Sequence, residues 1–181
     1  MSQEAGDILD RAADALLVMA VEEPWSEISL RGIAQKAEAP LAELYARADG
    51  KPALLAHLSA RFDKAALATA ATASEDVHDR LFDAVMARVE AMEPHRAALI
   101  AIARSGGRLF LVPHFPRTAR AILEAAGVDA TAPRLAAMTA VWARAAQVWR
   151  DDEGALNRTM AEIDKRLKQM RRQLGRIGAG F

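Results

Sequence analysis

Ser29 to Leu55 reads SLRGIAQKAEAPLAELYARADGKPALL, and the spacing within it decides the fold. Ser29 suits a helix N-cap, and Leu30, Ile33 and Ala34 behind it share one helical face. Pro40 suits the first turn of a second helix, where its missing N–H costs nothing, and Leu41, Leu44 and Tyr45 follow at helical spacing. Asp49 and Gly50 break the pattern, and Pro52 opens a third helix. A short helix, a turn and a second short helix make the shape that fits a DNA major groove.

The same periodicity extends outward. Ile8, Leu9, Ala12, Leu16, Leu17 and Ala20 form a stripe of period 3.6, a helix running to about Ala20, and Trp25 beyond it is expected in the core. Further helices are expected from Pro52 to about Ala73, Val77 to Met92, His95 to Arg104, about Arg117 to Ala126, Ala132 or Pro133 to Arg150, and about Asp152 to Ile177. Gly127 is the expected C-cap after Ala126. The expectation is an all-α chain of about nine helices. Its 181 residues, 52% hydrophobic and 5% aromatic, suffice for a sizeable core of Ala- and Leu-rich helices. With no cysteine, a disulfide frame and thiolate chemistry are excluded. The opening MSQEAGDILDRAAD has no signal-peptide pattern, and no apolar run approaches bilayer length, so a cytoplasmic protein is expected.

The decisive stretch resembles the DNA-binding domain of the tetracycline-repressor (TetR) family. The likeness is carried by the leading helix Ile8–Ala20, SLRGIAQKA at 29–37, the pair Leu44–Tyr45, and Lys51 with Leu54 and Leu55 behind it. It covers roughly the first third of the chain. It implies a three-helix helix-turn-helix domain over residues 1–50 and a helical ligand-binding and dimerisation domain over 51–181. It also implies a homodimer that binds operator DNA and responds to a small ligand. By the resemblance, Tyr45 and Lys51 match positions that hold phosphates, and Arg47 is close enough to do the same. Leu41 and Ala42 lie where base contacts are expected and could touch thymine methyls. With Arg31 these residues make the candidate DNA-contacting set; the alternative is that Tyr45 packs and the bases are solvated surface. Glu38 stands where the family usually has a turn glycine, and Ala48 where an aromatic usually packs.

Charge divides the chain. Residues 1–60 carry ten acids against five bases, whereas residues 157–181 carry seven bases against two acids. Phosphate-binding heads normally hold the basic excess. In the last helix, Leu156, Met160, Ile163, Leu167, Met170, Leu174 and Ile177 form one apolar seam. That seam has three readings: it packs on the domain core, it pairs with its twin in a dimer, or residues 165–177 lie on an anionic membrane surface. A second resemblance attaches here. WRDD at 149–152, Thr159-Met160, IDKRL at 163–167 and the tract Asp83 to Leu99 are similar to the lipid-binding ubiquinone-biosynthesis accessory proteins of the Coq group. It implies lipid or isoprenoid binding on the same fold, with a membrane-touching terminal helix.

Met86, Phe110, Phe115, Met138, Trp142 and Trp149 are candidates to line a pocket for an apolar effector, the alternative being plain core. No catalytic or metal set is expected. His57, His78, His95 and His114 are scattered singly, and Ser105-Gly106-Gly107-Arg108 is half a nucleotide fingerprint with no strand before it. Asp151-Asp152-Glu153, at a helix junction, is expected to cap the following helix rather than bind a cation. No cofactor and no enzymatic activity are assigned.

Overall fold

The computed structural model describes residues 2–72, 74–107, 111–152 and 154–181, with side chains from residue 8 onward save at 72. All regular structure among these residues is helical. In chain order the helices are α1 (Ser2–Glu22), α2 (Leu30–Lys36), α3 (Leu41–Arg47), α4 (Lys51–Ala68), α5 (Val77–Met92), α6 (Arg96–Arg104), α7 (Phe115–Ala125), α8 (Ala132–Asp151) and α9 (Asn157–Arg176). Short 3-10 turns occupy Thr69–Thr72, Glu93–His95 and Val112–His114.

The chain forms two compact units. The first comprises Met1–Ala60 with His95–His114, the second Arg61–Pro94 with Phe115–Phe181. In the first unit α1 packs on α2, α3 and α6. Its buried stripe is Ile8, Ala12, Leu16, Leu17 and Ala20, as the 3.6 period requires, and Trp25, Ile33, Leu44, Leu54, Leu55 and Ile102 complete the core. In the second unit α8 packs on α7 and α9, and α5 packs on both α7 and α9. The core there is built from Leu81, Val85 and Val89 of α5, Ile122 and Leu123 of α7, Met138 and Trp142 of α8, and Ile163 and Leu167 of α9.

Two expected ends move by five residues. The helix opened by Pro52 ends at Ala68 and tightens into a 3-10 turn, instead of running to about Ala73. The last helix starts at Asn157 rather than Asp152, because Gly154 (φ 91°) and Leu156 (φ 55°) take left-handed conformations that no helix contains. Asp152 is buried there, and its Oδ2 accepts from the Thr159 amide at 2.9 Å and the Thr159 hydroxyl at 2.8 Å, so it does cap the following helix. Asp151 pairs instead with Arg150 at 2.9 Å. Glu153 lies outside the described residues.

Candidate nucleic-acid interface and ligand core

Local rules build the helix-turn-helix. The Ser29 hydroxyl accepts from the Gly32 amide at 3.0 Å and caps α2. At the other end the Glu38 amide donates to Gln35 O and the Ala39 amide to Ala34 O at 2.9 Å, a Schellman turn. Glu38 occupies its left-handed position at φ 50°, the place where glycine was expected by resemblance. Arg11 from α1 holds the same turn, its Nη1 donating to Ala37 O at 3.1 Å and Glu38 O at 3.2 Å. Pro40 then sits at the N-cap of α3 rather than inside its first turn.

That turn leaves α3 with Leu44 and Ala48 buried and Ala42, Glu43, Tyr45, Ala46 and Arg47 exposed. Ala48, where the family likeness expects an aromatic, fills a fully enclosed place with a single methyl. Tyr45 is 61% exposed, unusual for an aromatic ring in a packed unit. Arg47 donates from Nη1 to Glu43 O at 3.2 Å. Leu41 is half-buried, and Arg31 is exposed on α2 beside Gln35 and Lys36. Lys51 is placed differently from the others. Its ammonium donates to the Trp25 carbonyl and lies 4.5 Å from the Trp25 ring, and burial lowers its pKa. One of its three N–H groups is therefore committed to tying α4 to Trp25.

The second unit holds five of the six candidate effector-binding side chains, all but Phe110. Met86, Met138, Trp142 and Trp149 are buried, and Phe115 is half-buried with its ring edge-on to Trp142 at 6.3 Å. Phe110 lies outside the described residues. The centre of this otherwise apolar core is polar. Arg88 is fully enclosed and donates from Nε to Asp63 Oδ1 at 2.8 Å, while Thr118 donates its hydroxyl to the same oxygen at 2.9 Å. The guanidinium lies 4.3 Å from the Trp142 ring centroid and 5.8 Å from that of Phe62. Burial lowers the Arg88 pKa, and the Asp63 charge opposes that shift. The signal available was small: Arg88 lies three residues after Val85 and four before Met92, squarely on the apolar stripe of α5.

The seam of α9 is mostly consumed inside its own unit. Ile163, Leu167, Met170 and Leu174 are buried, whereas Met160 and Ile177 are exposed. Lys165, Lys168, Arg171, Arg172 and Arg176 point charge, not apolar surface, outward. An open groove of about 510 Å³ lies between α5 and α9, lined by His78, Asp79, Phe82, Met160, Ala161, Asp164 and Lys168. Among the described residues no helix is long and apolar enough to cross a membrane, and no cluster of His, Asp or Glu could hold a metal ion.

No protein-family model matches the chain, and no curated protein matches it. Solved structures do. A TetR transcriptional regulator from Rhodococcus sp. RHA1 superposes with a TM-score of 0.69 at 15% identity, over 94% of this chain and 97% of that one. The dihydroxyacetone kinase operon activator DhaS superposes with a TM-score of 0.56 at 11% identity, over 93% and 96%. The all-helical fold of this chain is thus the TetR-like fold, and it extends well past the first third in which the sequence likeness lies.

Proposed function

We propose that the protein is a TetR-type DNA-binding transcription regulator that acts as a homodimer and responds to a small ligand. Residues 1–50 form the DNA reader, and residues 51–181 the ligand-binding and dimerisation part. The observation that carries the reading is the exposed face of α3, Ala42, Tyr45 and Arg47, presented beyond a capped turn in a TetR-like fold. Tyr45, Arg47 and Arg31 contact phosphates and set register. Leu41 and Ala42 supply apolar contact to base edges. Lys51 acts first as the anchor of α4 on Trp25 and second as a phosphate donor. The acidic excess of residues 1–60 keeps non-specific affinity low, so recognition depends on these few contacts. A ligand in the second unit favours one spacing of the paired readers, and operator affinity follows, because a dimer fits two half-sites at one separation only.

The test is binding of Tyr45→Ala and Arg47→Ala to DNA. Arg47→Ala should weaken binding to all sequences alike and lower the salt slope by about one. Tyr45→Ala should weaken it with the fold intact, since the ring is exposed. Wild-type affinity in both variants would remove α3 as the reader.

A further inference from the structure

The core of the second unit holds two buried polar atoms that the fold itself leaves unanswered. Asp63 Oδ1 receives the Arg88 and Thr118 hydrogen bonds, but Asp63 Oδ2 is buried without a partner. The indole Nε1 of Trp142 is likewise buried without a partner, in a side chain only 1% exposed. Trp149, two turns along the same helix, shows the ordinary solution: its Nε1 donates to Glu93 Oε2 at 2.6 Å. Native cores leave few such atoms, and here the two side chains that carry them, Asp63 and Trp142, both contact the same guanidinium, that of Arg88.

We propose that this cluster is the binding site for a small, neutral, hydroxyl-bearing apolar molecule. Its O–H donates to Asp63 Oδ2, and its oxygen accepts from Trp142 Nε1. A hydroxyl is the simplest single group that does both. The molecule is neutral because Asp63 and Arg88 already cancel, and a third charge would be buried uncompensated. Its frame is apolar because the Phe62 ring lies against the Arg88 guanidinium and the Phe115 ring against Trp142. Phe115 is the half-buried member of that group, so its ring is the one the molecule displaces on entry. This assigns a ligand class to the effector site of the proposed function and rests on that reading only for its regulatory consequence. An ordered water would satisfy the same two atoms, so the experiment must separate water from ligand.

The experiment is a ¹⁹F NMR titration of the full chain, without DNA, by 4-fluorophenol and by fluorobenzene. The site predicts that 4-fluorophenol binds at least about tenfold more tightly, because losing the hydroxyl returns both atoms to the unpaired state. Trp142→Phe and Asp63→Asn should each erase most of that preference while fluorobenzene still binds. Equal affinity of the two probes, or no binding of either at low millimolar concentration, would overturn the proposal and leave the atoms to water. The wild-type ratio decides the matter even if a core variant fails to fold. A protein that binds the phenol but no DNA would retain this site and lose the regulator reading, and the converse holds equally.

Discussion

Replacing Glu38 by glycine should stabilise the protein. Glu38 is the left-handed residue of the Schellman turn that joins α2 to α3, at φ 50°. Helices α7 and α9 end in the same pair of hydrogen bonds, with Gly127 at φ 68° and Gly178 at φ 69° in the matching place. A residue with a Cβ pays about 1–2 kcal/mol for that conformation. Glycine adds back about 0.4–1 kcal/mol by loosening the unfolded chain. The difference favours Glu38→Gly by about 1 kcal/mol, a rise in Tm of about 2–4 °C for a chain of this length unfolding as one. Glu38→Ala is the control. It removes the carboxylate from the C-terminal end of α2, a gain of a few tenths of a kcal/mol (about 0.3 at an exposed site), but keeps the strain. Urea and thermal melts of the three proteins measure the ordering. If Glu38→Ala gains as much as Glu38→Gly, charge and not backbone conformation is responsible. If Glu38→Gly gains nothing, the turn is unstrained at Glu38.

Gly107→Ala should cost about 1–3 kcal/mol, since a Cβ there would lie 2.3 Å from Ile102 Cγ2 and 2.8 Å from Ile102 O; a melt within about 0.3 kcal/mol of wild type would contradict it. Arg88→Met should destabilise by about 3–5 kcal/mol by stranding the buried Asp63, and adding Asp63→Leu should restore much of the loss, which denaturant titration of the double-mutant cycle reads directly. Glu162 is held below its ordinary 4.5, first by the Arg166 hydrogen bond at 2.7 Å and then by the Arg144 bond at 3.0 Å. Its folded pKa is depressed, so its contribution is complete above 4.5 and is lost as pH falls through the lower folded value. Glu162→Gln should therefore flatten the acid side of the stability–pH curve and leave the curve near pH 9 with the same shape.

The helices that read well from sequence are those whose own residues set their ends. Val77–Met92 is bounded as its period predicts, because Asp76 accepts from the His78 amide at one end and Glu93-Pro94 interrupts at the other. Ser29 and Gly127 announce their turns in the same local way. The start of α9 did not, because it depends on a non-glycine residue, Leu156, held left-handed while Asp152 reaches seven residues ahead. Burial of Met138, Trp142 and Trp149 followed from residue type and spacing. The Asp63–Arg88–Thr118 cluster did not, because three polar residues 25 and 30 positions apart carry no mark of one another until α4, α5 and α7 are packed. A lone arginine on an apolar stripe reads as surface unless its partner is known. Exposure of Tyr45 was foreseeable only through the family likeness, since an isolated tyrosine at helical spacing reads equally as core.

The most direct test of the regulator reading is binding of the full chain to a labelled fragment of the DNA upstream of its own gene, across a salt series with non-specific competitor. Saturable binding is expected that survives competitor, weakens as salt rises, and is weaker in Tyr45→Ala. No binding even at low salt would contradict it and leave the second unit as the part that acts.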